Sequence, residues 1–131
     1  MKNIAIIGAG PAGIEAASIL ASQHKVTLFE QEERPLTNIR NKAMLFPDFS
    51  SAEELADQLE AKLQHPNITL LTQTAVTCLQ HQDGGWQVTD SKGGQQTFDQ
   101  VLLTTGYRVF DATRKEELGY GIYKGVITSL D

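Results

Sequence analysis

The chain has 131 residues, enough for one domain with a hydrophobic core. Its 40% hydrophobic and 21% charged content is typical of a globular protein, and its basic residues are too scattered for nucleic-acid binding. The net charge of −5 contains no block of like charges. No signal segment precedes the first apolar run, and no run approaches the length of a membrane span. We therefore expect a cytoplasmic protein with neither a nucleic-acid nor a membrane partner.

The first 30 residues predict a strand, a glycine-rich turn, a helix and a second strand. The strand covers residues 3–7, the helix 11–23 and the second strand 26–30. The turn has the spacing G-x-G-x-x-G, and Glu30 follows Gly8 by 22 positions. The glycine spacing alone is weak evidence, but this order of elements with a terminal acid is typical of dinucleotide binding.

Each residue of this turn has a physical role. Gly8 permits the tight turn, Gly10 lets a pyrophosphate approach the backbone, and Gly13 allows close packing of helix on strand. Pro11 suits the first helical turn, whose N–H groups face the phosphates. Glu30 would accept hydrogen bonds from a ribose and disfavour a 2′-phosphate. The alternative is an ordinary glycine-rich turn with a surface glutamate.

The rest of the chain changes from helical to strand periodicity. A polar stretch at 31–49 carries breakers, and a helix capped by Ser50 or Ser51 follows through about residue 64. Residues 68–71 predict a strand. Strands at 75–82, 86–89 and 96–98, with a turn at Asp83-Gly84-Gly85, predict an antiparallel meander. Residues 101–104 predict a buried strand.

Cysteine and histidine offer little chemistry in this chain. Cys78 is the only cysteine, so an internal disulfide or a cysteine-built iron–sulfur site within the chain is excluded. We interpret it as a small buried residue of an alternating strand. The three histidines lack the spacing of metal ligands, so we expect no metal site. No side chain is an evident acid, base or nucleophile.

The order of elements resembles the flavin domain of the two-dinucleotide-fold flavoproteins, which include the pyridine-nucleotide disulfide reductases. In that group a later strand ends in A-T-G, and here the segment reads FDQVLLTTGY, with Thr104 in place of the alanine. Residues 105–130, TGYRVFDATRKEELGYGIYKGVITSL, resemble the A-subunit family of the heterodisulfide reductases. The resemblance implies a Rossmann-like α/β fold for FAD or NAD(P): a parallel sheet with helices and an inserted antiparallel meander.

The resemblance also implies roles for particular residues. The pyrophosphate of FAD, or of NAD as the alternative, would lie on the glycine turn, with the adenosine ribose on Glu30. Arg34 and Arg40, together with Gln31, are weaker candidates, since both arginines could equally be solvated loop charges. The cofactor-binding candidates are Gly8, Gly10, Pro11, Ala12, Gly13, Glu30, Gln31, Arg40, Val76 (at the adenine), and Thr105 and Gly106 (at the flavin).

The chain departs from the family in three respects. The family's iron–sulfur cysteines and a second G-x-G-x-x-G are absent, and so is the late G-D segment. Residues 1–131 are therefore interpreted as one FAD-binding domain, truncated relative to the family and without a nicotinamide-binding domain. We expect an oxidoreductase domain in which the flavin carries hydride or electrons. The alternatives are a non-catalytic dinucleotide-binding module, an electron-transfer subunit or an NAD-binding Rossmann protein.

The sheet edge beside residues 101–104 would be open in such a truncated domain. An open edge can pair with another chain, so the sequence predicts a homodimer or a hetero-subunit of a redox complex.

Overall fold

The computed structural model describes residues 1–82 and 84–128 of the chain. The strands are β1 (Asn3–Ile7), β2 (Lys25–Phe29), β3 (Met44–Leu45), β4 (Ser50–Ser51), β5 (Ile68–Leu71), β6 (Val76–Gln82), β7 (Gly85–Asp90), β8 (Gln95–Phe98) and β9 (Gln100–Leu103). The α-helices are α1 (Pro11–Leu20), α2 (Thr37–Arg40) and α3 (Ala52–Ala61), and two 3-10 helices follow at Ala112–Arg114 and Glu116–Leu118. None of the helices in the described ranges is both long and apolar enough to cross a bilayer.

A four-stranded parallel sheet, in the order β5-β2-β1-β9, forms the centre of the molecule. Because β1 and β2 are covered on both faces, they are almost continuously apolar. Ile4 and Ile6 face α1 and α3 in the larger core cluster, whereas Ala5 faces the opposite cluster. In that second cluster Phe29 meets Phe98 of the meander edge to face, with ring centroids 5.9 Å apart.

The helices begin where the sequence predicts and end earlier. Pro11 opens α1, which ends at Leu20, and the Gln23 N–H then donates to the Leu20 carbonyl at 3.1 Å, the i to i−3 spacing of a tightened turn. The Ser51 hydroxyl caps α3 by accepting from the N–H of Glu54 at 3.3 Å. The predicted polar stretch at 31–49 contains α2 and β3, and β3 pairs antiparallel with β4 immediately after it; the sequence indicated neither α2 nor this pair.

The antiparallel meander β6-β7-β8 is present as predicted. Asp83, in the predicted turn between β6 and β7, lies outside the described residues. The prediction that Cys78 is buried is wrong, because its thiol is exposed. The register of β6 shifts between Val76 and Cys78, so Thr77 and Cys78 are both exposed while Leu79 packs against the core.

Strand β9 is also less buried than predicted. It pairs with β1, and no other strand of the described chain pairs with its outer edge. Leu102 and Leu103 are therefore 38% and 62% exposed, while Val101 packs against the second cluster. The edge is open, as the resemblance to a larger domain implies. Beyond it most apolar side chains up to residue 127 are exposed, and the last two residues of the tail motif, Ser129 and Leu130, lie outside the described residues.

Candidate functional site

Two of the three glycines of the turn are required by the packing of the protein itself. Gly8 has φ +107°, and a Cβ there would lie 2.4 Å from the carbonyl oxygen of Thr104. A Cβ on Gly13 would lie 2.0 Å from the carbonyl oxygen of Gly8. Any side chain at either position would force the backbone apart, so these glycines let β1, β9 and α1 approach one another.

Gly10 differs, because among the described residues, its two chain neighbours apart, no atom lies within 4 Å of the position that its Cβ would take. It is the N-cap of α1 with φ −78°, an ordinary backbone conformation. Pro11 and Ala12 beside it are exposed. Since Ile14 makes the first intrahelical hydrogen bond, to the Gly10 carbonyl at 3.0 Å, the N–H groups of Ala12 and Gly13 precede it. The positive end of α1 thus faces open space that a glycine keeps free.

Glu30 lies directly after β2 and is 9% exposed. Its Oε2 accepts a hydrogen bond from the N–H of Ala9 at 2.8 Å, and its Oε1 accepts from the N–H of Glu32 at 2.9 Å. A carboxylate offers about four lone-pair sites, so both oxygens retain acceptor capacity. The carboxylate therefore fixes the centre of the glycine turn and remains able to bind a ribose hydroxyl.

Leu36 binds the carbonyl of Ala9, whose N–H is bound by Glu30. It is buried with φ 65°, and its N–H donates to the carbonyl of Ala9 at 3.0 Å. The N–H of Ala9 is bound to Glu30 and its carbonyl to Leu36. Both backbone groups of this residue are therefore held by the segment that follows β2.

Thr104, noted in the sequence only as a replacement for alanine, contacts the glycine turn directly. Its hydroxyl lies 2.9 Å from the Gly8 carbonyl and 3.1 Å from the Ile7 carbonyl, and its N–H donates to the Ile7 carbonyl at 2.9 Å. The signal was the T-T-G in place of A-T-G. A hydroxyl at this position connects β9 directly to the glycine turn.

The remaining candidates lie around the same end of the sheet. Thr105 and Gly106 follow β9 and are exposed, and the Thr105 Cα would lie 3.1 Å from a Cβ on Gly8. Gln31 is exposed beside Glu30. Val76 is half-buried at the start of β6, shortly after Thr74, whose N–H donates to the Glu30 carbonyl at 2.8 Å.

Arg40 lies in an ion-pair cluster. It is not a solvated loop charge, because its side chain is only 9% exposed. Its guanidinium binds Asp57 at 3.0 Å and also contacts Glu53 and Glu60, all on α3. Burial alone would lower the pKa of this guanidinium, but hydrogen bonds to Asp57 and Glu60 outweigh it and raise the pKa. Arg34 is 59% exposed and lies 3.7 Å from Glu60.

The family model described as pyridine nucleotide-disulphide oxidoreductase matches residues 2–128. The CoB–CoM heterodisulfide reductase iron-sulfur A-subunit 1 of Methanopyrus kandleri is 37% identical over 213 aligned positions, covering 99% of this chain and 32% of the relative. The corresponding A-subunit of Methanocaldococcus jannaschii is 29% identical, over 95% of this chain and 20% of the relative. The chain thus spans a third or less of the length of these relatives.

Solved structures agree with this match. L-proline dehydrogenase from P. horikoshii superposes with a TM-score of 0.73 at 25% identity, over 80% of this chain and 22% of that one. Thioredoxin reductase from Lactococcus lactis has a TM-score of 0.73 at 23% identity, over 92% and 41%, and supports the fold alone. These findings confirm the predicted fold class and resemblance. They indicate FAD as the cofactor, with NAD(P) as the alternative.

Proposed function

Because the chain belongs to the pyridine nucleotide-disulphide oxidoreductase family, we propose that it binds the ADP part of FAD and supports flavin-mediated electron or hydride transfer. The observation that carries this proposal is the open space at Gly10, directly at the N-terminus of α1. In a turn whose other two glycines are closely packed, a third glycine with open space at its Cβ position is explained by a ligand that approaches the backbone.

The residues present fit this cofactor. The backbone amides of Gly10, Ala12 and Gly13 would hold the pyrophosphate at the positive end of α1. The free lone pairs of Glu30 would accept the hydroxyl groups of the adenosine ribose, with Gln31 exposed beside them.

Two further regions complete the proposed site. Val76 would lie at the adenine, and Thr105 and Gly106 would border the flavin. Bound FAD would supply the redox chemistry, and we assign no catalytic side chain to the chain itself. Pro11 shapes the first turn of α1 and has no N–H to donate.

Reconstitution with FAD tests the proposal. The purified protein is incubated with FAD, desalted, and examined for flavin absorbance and bound flavin per chain. We expect yellow protein with near-stoichiometric flavin, displaced by excess ADP because the ADP part would occupy the glycine turn. A colourless product that binds NAD in the same assay would reverse the choice between the two cofactors, and a product that binds neither would refute the site.

A second candidate function is a dinucleotide-binding or electron-transfer subunit of a larger assembly. The relatives are named as subunits of heterodisulfide reductases, and the outer edge of β9 offers unpaired backbone groups beside the exposed Leu103. We propose that residues 1–131 act as one domain that pairs through this edge with a second copy or with a different chain. A monodisperse monomer in light scattering, unchanged when a candidate partner chain is added, would contradict this proposal.

We also propose a cytoplasmic location. Cys78 is an exposed thiol with no second cysteine in the chain, and unpaired exposed thiols persist in a reducing compartment.

A further inference from the structure

We propose that Arg40 is a positioning residue that holds the glycine turn in its binding geometry through the loop segment 31–40, without contacting the cofactor. This inference rests on the proposed function, because the geometry in question is that of the pyrophosphate site. It differs from the role expected from the sequence, in which Arg40 contacts the cofactor directly.

The charge around Arg40 argues against direct neutralisation of a pyrophosphate. Glu53, Asp57 and Glu60 follow one another on α3 at spacings of four and three residues, so they share one face of the helix. All three contact the one guanidinium. Together with the exposed Arg34, 3.7 Å from Glu60, the cluster holds three carboxylates and two cations, and its net charge of −1 would repel a phosphate rather than attract it.

Arg40 is connected to the turn through the backbone of its own segment. The N–H of Arg40 donates to the carbonyl of Leu36 at 2.9 Å, and the N–H of Leu36 donates to the carbonyl of Ala9 at 3.0 Å. Leu36 is 2% exposed and belongs to the core cluster that also contains Ala9 and Ala56 of α3. The ion pairs of Arg40 thus fasten to α3 the segment that holds the turn from one side.

Loss of the guanidinium would act in two ways. The segment would lose its buried attachment to α3, and the three carboxylates would be left with only the exposed Arg34, 3.7 Å from Glu60, as a nearby cation. Both effects favour movement of the segment away from α3, which removes the Leu36 contact from Ala9. The Gly8 N–H, bound to the Phe29 carbonyl at 2.8 Å inside the sheet, does not depend on this segment and serves as an internal reference.

The Nε atom of Arg40 means that direct contact between Arg40 and the cofactor has to be tested. The Nε of Arg40 is buried and has no hydrogen-bond partner among the described residues, so a ligand oxygen could still use it. The two roles differ in the expected effect of the carboxylates. If Arg40 positions the segment, neutralising Glu60 weakens cofactor binding; if Arg40 binds the cofactor directly, neutralising Glu60 frees positive charge and leaves binding unchanged or tighter.

The experiment compares Arg40→Met, Glu60→Gln and the double variant with the parent chain. Arg34→Met is the matched control, because Arg34 lies in the same loop and near the same carboxylate but is exposed. FAD dissociation is followed by flavin fluorescence, and amide hydrogen exchange of the apoprotein is followed at Leu36, whose N–H binds the Ala9 carbonyl, and at Gly8. Exchange in the apoprotein reports on the turn even if the chain retains no FAD, so failure of the proposed function is distinguishable from failure of this inference.

We expect Arg40→Met and Glu60→Gln each to speed FAD dissociation, by about 2- to 30-fold for the arginine variant. Exchange at Leu36 should accelerate relative to Gly8, and the effect of the double variant should be less than additive because both changes break one connection. Arg34→Met should change neither. Unchanged or slower dissociation in Glu60→Gln, or equal acceleration at the Leu36 and Gly8 amides, would overturn the inference. If Arg40→Met fails to fold, Glu60→Gln decides alone.

Discussion

Replacement of Gly10 by valine should abolish most cofactor binding and leave the fold intact. Among the described residues, its two chain neighbours apart, the new Cβ meets no atom within 4 Å, and φ −78° is accessible to valine. The cost to the fold is the poorer N-cap, about 1 kcal/mol, or a fall in Tm of roughly 3–5 °C for a chain of this size. The two methyl groups would occupy the space proposed for the pyrophosphate. Overpacking of about 1–3 kcal/mol there corresponds to roughly 5- to 150-fold weaker FAD binding.

Gly13→Ala provides the opposite perturbation at the same turn. The added Cβ would lie 2.0 Å from the Gly8 carbonyl oxygen and 2.8 Å from the Thr104 hydroxyl. Because the first of these atoms belongs to the backbone, α1 must move away from β1. We expect a loss of unfolding free energy of about 3 kcal/mol or more, which is a fall in Tm of roughly 10 °C or more.

The assay combines thermal unfolding of the apoproteins by circular dichroism with FAD titration by fluorescence. Gly10→Val should separate the two quantities, with nearly parental unfolding and strongly weakened binding, whereas Gly13→Ala should lose both. If Gly10→Val bound FAD as tightly as the parent, the open space at Gly10 would not be the pyrophosphate site. If Gly13→Ala unfolded like the parent, the close packing of α1 on the turn would be refuted.

Three further predictions concern side chains around the turn and in the tail. Glu30→Gln replaces one acceptor of a backbone N–H by an amide donor. Urea unfolding should show a loss of about 1.5–3 kcal/mol in the free energy of unfolding, together with weaker FAD binding. An unchanged urea midpoint would contradict the contact with Ala9. Thr104→Ala should cost about 0.5–1.5 kcal/mol in the same assay and Thr104→Ser should restore it, whereas equal losses would show that the methyl group matters instead. The hydroxyl and N–H of Thr113 lower the pKa of Asp111 below its ordinary 3.8. The short 3-10 helix that Asp111 caps should therefore be stabilised above about pH 4 and lose that stabilisation as the pH falls through the lowered pKa. A titration of the Thr113 amide shift by NMR with a midpoint at or above pH 4 would contradict this prediction.

Elements with strong local signals were predictable from the sequence. The strand β1, the start of α1 after Gly10 and the Ser51 cap of α3 all depend on residues within one turn of the element. The ends of the helices were predicted less accurately, since the helices close with tightened turns that no particular residue type marks in the sequence. The close packing at Gly8 and Gly13 was also predictable, because the spacing places both glycines in the turn between β1 and α1.

Features that depend on distant contacts were not predictable. The environment of Arg40 is produced by docking of α2 on α3, which brings together charges up to 20 positions apart. The contact of Thr104 with Gly8 joins residues 96 positions apart. Exposure of Cys78 follows from a shift in strand register that simple alternation does not contain. In each case the residue type was visible in the sequence, but its partner was set by the tertiary fold.

The glycine turn is held by more contacts than residues 105–107, on the side proposed for the flavin. Gly8 and Ala9 are bound by groups from four separate positions, namely the Phe29 carbonyl, Glu30, Leu36 and Thr104. A site ordered before its ligand arrives loses little conformational entropy on binding, so the ADP part of the cofactor should supply most of the affinity. On the flavin side residues 105–107 are exposed, and the Asn38 amide reaches the Tyr107 carbonyl at a long 3.3 Å. The proposed function therefore predicts that binding and redox chemistry are separable: binding would depend on the glycine turn, and redox chemistry would depend on what covers the flavin.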